Sequence, residues 1–208
     1  MMDIEALPGG TRAWPEDAAD WLRRLGCTAS DIHETLVSAP PFRPSTLKQV
    51  LTAVMDLGRR AGRLGEVMTL LGHQEAALKR LREDVGIPRA APPSDLVASA
   101  VILRTPSGWV APGGWVPDLL DRAAGRDVLC QPGSAPRSVD PAVLEAAGVR
   151  HLFLMTGGEE AGLSGLDISG AIIHRVAAPA DWLQPGPRLA HAIFDAASRM
   201  HGISAVFF

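Results

Sequence analysis

The chain has 208 residues, 47% of them hydrophobic, with a formal net charge of −3. That is enough for one or two folded domains with a real core, and too little charge for a polyanion binder or an acidic tail. The start, MMDIEALPGG, carries acids and no apolar run, and no stretch reaches the roughly 20 apolar residues of a membrane helix. These features predict a soluble cytoplasmic protein with no membrane partner. Heavy use of Ala, Arg, Gly and Pro points to a bacterial, GC-rich source.

In chain order, the first half reads as helical. Pro15 suits a first helical position, and Ala18, Trp21, Leu22 and Leu25 follow at helical spacing before Gly26. A second helix opens at Thr28 and Asp31, spaced as a capping box, with Ile32 and Leu36 as its apolar stripe. SAPPF breaks it. Thr46 and Gln49 start a third helix, whose buried face is Leu47, Val50, Leu51, Val54 and Leu57. From Leu64 to Val85 the apolar positions approach a heptad, with Gln74 at one core position and Gly72 as a weak point. That seam predicts a homodimer or protein partner through residues 64–85.

The stretch GIPRAAPPSD, Gly86 to Asp95, reads as an extended linker because proline removes amide donors and disfavours helix before it. The predicted layout is a helical domain at 1–87 with a helix-turn-helix-like segment at 28–58, a linker at 88–95, and an α/β domain at 96–208. In that second half, SAVILRT is a strand, PSG turns it and WVA pairs back. Pro117 and Asp118 open a helix ending at Gly125, DVLC is a short strand, and VDPAVLEAAG is a helix. VRHLFLMT and GAIIHRVAA are strands, GPRLAHAIFDAASRMHG is an amphipathic helix, and ISAVFF is a closing strand. The predicted fold class is therefore α/β (or α+β), a helical half followed by a mixed sheet with helices packed on it.

Several chemistries are excluded or disfavoured. The only lysines are Lys48 and Lys79, so the second half holds neither a P-loop nor a Schiff-base lysine. Gly113 and Gly114 precede a helix as a phosphate loop would require, but Pro112 and Pro117 each remove an amide, and no base lies between Arg104 and Arg122. A hairpin turning into a helix is the better reading, with Trp109 and Trp115 as apolar covers. Cys27 and Cys130 fit no metal spacing, and His151, His174, His191 and His201 form no H-x-x-x-H or H-x-H pattern. No cofactor or metal is expected.

Charge is uneven: residues 1–39 carry −4, residues 40–83 carry +4 and residues 84–208 carry −3. The segment TASDIHETLV-SAPPF-RPSTLKQVLTAVMDLG resembles the helix-turn-helix of winged-helix DNA-binding domains. In such domains the second helix enters the major groove. The resemblance implies DNA as a partner, read by Lys48, Gln49 and Thr52 with Arg59, Arg60 and Arg63 behind them. A second cluster follows the HLFLM strand. Thr156, Gly157, Gly158, Glu159 and Glu160, with Cys130, would collect beyond strand carboxyl ends as a ligand loop. The leading expectation is a non-enzymatic regulatory or adaptor protein with a DNA-binding helical half and an α/β sensor or docking domain. A small enzyme with its site near Cys130 and 156–160 is the alternative, and a structural subunit of an assembly is equally compatible.

Overall fold

A computed structural model describes residues 16–40, 44–87, 91–156, 166, 168–184 and 189–203. Four helices come first: α1 (Glu16–Arg24), α2 (Ala29–Ser38), α3 (Leu47–Arg60) and α4 (Leu64–Asp84). Their starts follow from local chemistry. Thr28 Oγ1 accepts from Asp31 N while the Asp31 carboxylate accepts from Thr28 N, closing the capping box at α2. Thr46 Oγ1 accepts from Gln49 N at α3. Gly72 does not interrupt α4, because Val67, Leu78 and Leu81 are buried on either side of it and tertiary packing outweighs the local cost. A short 3-10 turn, Pro93–Asp95, leads into the sheet.

The second half alternates strands and helices: β1 (Val97–Thr105), β2 (Gly108–Ala111), α5 (Val116–Arg122), β3 (Gly125–Asp127), β4 (Arg137–Val139), α6 (Pro141–Ala146), β5 (His151–Met155), β6 (Ile172–Val176), α7 (Ala180–Leu183) and α8 (Leu189–His201). The sheet order is β4-β2-β1-β5-β6, with β3 also beside β1. β1, β3, β5 and β6 run parallel; β2 pairs antiparallel with β1, and β4 pairs antiparallel with β2 and so runs in the direction of β1. The chain is thus an α/β protein with a mixed sheet and a helical N-terminal half.

The sheet separates two apolar clusters. On one face Val101, Leu103, Phe153 and Met155 pack with α5, α7 and α8, and this cluster continues into Trp21, Val50, Leu57 and Leu81 of the first four helices. On the other face Ala100, Ile102, Leu152 and Leu154 pack with Leu129, Leu144 and Val149. β1 and β5 are buried along nearly their whole length, as expected of parallel strands covered on both faces.

Some expected elements shift. The strand read at DVLC lies earlier, at Gly125–Asp127, because the Asp127 carboxylate accepts from Leu129 N and Cys130 N and turns the chain off the ladder. β4 and α7, of three and four residues, were not expected. Pro15, Arg89, and residues 204–208 of the closing strand lie outside the described residues.

The seam expected to pair with a partner through 64–85 is used within the chain. Val67, Leu78 and Leu81 are buried in its own core. The helix-turn-helix-like segment is likewise engaged internally. Leu47 N, at the start of the helix that would enter a groove, donates to Asp118 Oδ2 of α5 at 2.9 Å.

Candidate functional site

The parallel strands β1, β5 and β6 end side by side, with Leu103 opposite Met155 and Met155 opposite Val176. In open α/β sheets ligands collect beyond such carboxyl ends. Thr105, the 106–107 turn, Thr156 and the start of α7 form this edge. Thr105 Oγ1 donates to Gly108 O at 3.0 Å, which ties the β1–β2 turn down.

The two-residue turn sets the register Thr105 to Gly108 and so places Arg104 opposite Trp109. The Arg104 guanidinium lies 5.0 Å from the centre of the Trp109 ring, an arginine-aromatic stack that leaves the charge exposed. A cation held over an indole suits a planar or anionic group. This pair was not foreseen. The spacing of PSG between RT and WV was the signal for it, since a two-residue hairpin determines which residues face each other.

Beneath the edge an aromatic row crosses the helix-covered face. Trp182 packs on Phe153 at 5.0 Å between ring centres, Phe153 stacks on His174 at 4.9 Å, and His174 stacks on His151 at 5.1 Å. His151 Nδ1 and His174 Nε2 are 2.8 Å apart, so one ring donates to the other and both cannot be protonated together. Burial lowers the His174 pKa to about 4, helped by His151 and Arg199, with Asp195 opposing. Burial also lowers His151, and His201 and Arg150 add to it. Both rings are therefore neutral at physiological pH. Trp115 is buried, and its Nε1 donates to Trp182 O at 3.1 Å.

Cys130 lies elsewhere. β2 and β3 flank one side of β1 and β5 flanks the other, so β1 stands between Cys130 and Thr156. The thiol is buried. Desolvation pushes its pKa up and the Asp127 carboxylate adds to this, while Ser134, Arg137 and the Gly113 amide act the other way. Asp127 is itself pushed up to about 6 by burial, against the two amides and Arg137. A buried thiol held protonated is a poor nucleophile. Gly157, Gly158, Glu159 and Glu160 lie outside the described residues.

The glycine turn behaves as a structural joint. Gly113 and Gly114 have φ of 62° and 59°, a left-handed backbone that glycine takes without strain. Gly114 N donates to Ser134 O at 2.8 Å and Gly133 N to Gly114 O at 2.9 Å, so these amides are spent on the 131–135 turn.

The basic residues of α3 are placed as follows. Lys48 is exposed. Gln49 Oε1 accepts from Ser45 N at 2.7 Å, and Thr52 Oγ1 donates to Lys48 O at 2.9 Å. Arg59 and Arg60 both pair with Asp56 at 2.8 Å, and Arg63 pairs with Glu66 at 3.1 Å and donates to Gly26 O. Each of these three arginines is engaged by a neighbouring acid, although the segment as a whole stays positive.

No protein-family model matches the sequence, and no curated protein matches it. Solved structures do. A periplasmic binding protein from Veillonella parvula is similar with a TM-score of 0.61 and 14% identity, over 83% of this chain and 61% of that one. The periplasmic heme-binding protein RhuT from Roseiflexus sp. RS-1 is similar at 0.57 and 19%, over 76% and 64%. An ABC-type Fe3+-hydroxamate transport system protein from Saccharomonospora viridis is similar at 0.57 and 14%, over 77% and 57%. The chain spans about three-fifths of the length of these structures. These neighbours overturn the expectation of a regulatory or adaptor protein that binds DNA. They equally overturn the helix-turn-helix assignment, DNA or a 64–85 dimer as partner, and the cytoplasmic location. The physical reason is in the fold: the α3 start is docked on α5, and Arg59, Arg60 and Arg63 are already engaged by Asp56 and Glu66. What the likeness establishes is a fold shared with periplasmic solute-binding proteins.

Proposed function

We propose that the chain is an extracytoplasmic solute-binding module that captures a small ligand for an ABC-type importer. The observation that carries this is the fold likeness over 83% of the chain at a TM-score of 0.61. The neighbours include proteins described as binding heme and vitamin B12, and one from a ferric hydroxamate transport system. The carboxyl edge of β1, β5 and β6 is the binding surface, and Arg104 on Trp109 is its recognition pair. A planar conjugated or metal-chelate ligand bearing an anionic group matches that pair, through stacking and a charge-assisted hydrogen bond.

Hemin, cobalamin and a ferric hydroxamate all absorb visible light, so each can be titrated into the purified chain. One of them should saturate in the micromolar range, about −8 kcal/mol. Arg104→Ala and Trp109→Ala should each weaken it about tenfold, or about 1.4 kcal/mol. Absence of a spectral change with all three, in a folded protein, would remove the reading.

A further inference from the structure

β6 lies at one edge of the sheet. Among the described strands it pairs with β5 alone, and Ile172 and Ile173 on it are exposed. A strand paired on one side only opens more readily than one paired on both. Two side-chain contacts hold β6 besides its ladder. From α8, Arg199 Nη1 donates to Arg175 O at 3.0 Å, while its Nε donates to Asp195 Oδ1 at 2.7 Å. From β5, His151 meets His174 nitrogen to nitrogen at 2.8 Å, with the ring planes 15° apart. Only one hydrogen fits between those two nitrogens, so the contact requires one of them to be bare.

The surroundings decide what an added proton does. His151 is 9% exposed on the buried strand β5, whereas His174 is half-buried on the edge strand. The charged and titratable groups acting on the pair are His201 of α8 and Arg150 at His151, and Arg199 and Asp195 of α8 at His174. The one carboxylate among them, Asp195, is already paired with Arg199. An imidazolium formed in place therefore gains no free counter-charge and faces like charges. Moving His174 into water relieves it, and the edge strand is the element that can carry it there. We propose that the His151–His174 contact is an acid-released latch, in which a proton taken up by His174 opens β6 from β5 while β1 and β5 stay paired. The opening loosens the segment leading into α7, whose Trp182 packs on Phe153. Burial, with His151 and Arg199 adding to it and Asp195 opposing, holds the closed His174 at about 4 against 6.5 for a free imidazole. The open form therefore gains as pH falls below about 6.5, and the gain is complete near about 4. The latch is independent of what binds at the carboxyl edge.

Two backbone amides at the same end of the sheet report the opening by hydrogen exchange. Ile172 N donates to Arg150 O at 2.8 Å across β5 and β6, and Arg150 N donates to Ala98 O at 2.9 Å across β1 and β5. From about pH 7 to about pH 5, corrected for intrinsic exchange, the protection of Ile172 in the unaltered full chain should fall about tenfold relative to that of Arg150. His174→Gln takes up no proton at this position and should remove that difference. Equal change at the two amides of the unaltered chain overturns the proposal, and that measurement needs no variant to fold. A difference that persists in His174→Gln also overturns it.

Discussion

Gly113→Ala tests whether the glycine turn before α5 is a structural joint. Two costs act at this position. The backbone sits at φ 62°, where a Cβ costs about 1 kcal/mol. The added Cβ would also lie 2.4 Å from Ser134 O and 3.0 Å from Ala135 O, both backbone atoms with no rotamer to retreat into. Relieving that overlap must push the 131–135 turn outward. Overpacking of this kind costs about 1–3 kcal/mol. It strains the bonds Gly114 N to Ser134 O and Gly133 N to Gly114 O, about 1 kcal/mol each. A loss of about 4 kcal/mol is expected, a large share of a typical stability of 5–15 kcal/mol. Gly148 is the matched control: its φ is 63° and its Cβ would meet nothing within 4 Å. Gly148→Ala should therefore cost only about 1 kcal/mol. Urea unfolding followed by far-UV circular dichroism gives both values at a common slope. Equal losses in the two variants would refute the argument, because backbone strain alone would then account for Gly113.

Two further predictions rest on single contacts. Gly58 lies inside α3, where alanine normally gains up to about 1 kcal/mol. Its Cβ would come 2.3 Å from Val67 Cγ2, so Gly58→Ala should instead destabilise, and Val67→Ala should absorb much of the loss in a double-mutant cycle of thermal melts. Stability should also fall with acid through the histidine pair. His174 has a folded pKa of about 4 against about 6.5 unfolded, so its neutral form favours the native state and that contribution is lost as pH falls from about 6.5 to about 4. Asp127 opposes this, with a folded pKa of about 6 against about 3.9 unfolded, giving stability that is lost as pH rises through about 6. Melting midpoints across this range should decline less steeply for His174→Gln than for the parent chain, and more steeply for Asp127→Asn. The reverse order would show that the burial of these groups has been misjudged.

The fold was readable wherever one short stretch carried its own reason. Thr28 with Asp31 and Thr46 with Gln49 announced the starts of α2 and α3, and SAVILRT-PSG-WVA announced the β1–β2 hairpin. β4 escaped because Arg137–Val139 has too few residues for an alternating pattern and exists by pairing with β2. The basic stretch at 40–83 suggested a nucleic-acid surface because the sequence shows how many charges there are, not which acids they meet. Asp56 sits on the same helix face as Arg59 and Arg60, and Asp118 comes from far along the chain to hold Leu47. The Arg104–Trp109 stack was recoverable from the hairpin register. The apolar pocket between α1, α3, α4, α5 and α8 was not, since five separate helices line it.

β1 is completed on its two sides at different moments of synthesis. β2 folds back across a two-residue turn and β3 follows just after α5, but Ser99 waits for His151 and Leu103 for Met155. A ribosome adding about 5–20 residues per second leaves that second side open for several seconds. Throughout, Val101, Ile102 and Leu103, fully buried once folding ends, border a row of unpaired amides and carbonyls. Such an edge templates pairing with neighbouring nascent chains. During that interval the chance of mispairing should rise with the time spent in synthesis and fall with chaperone supply.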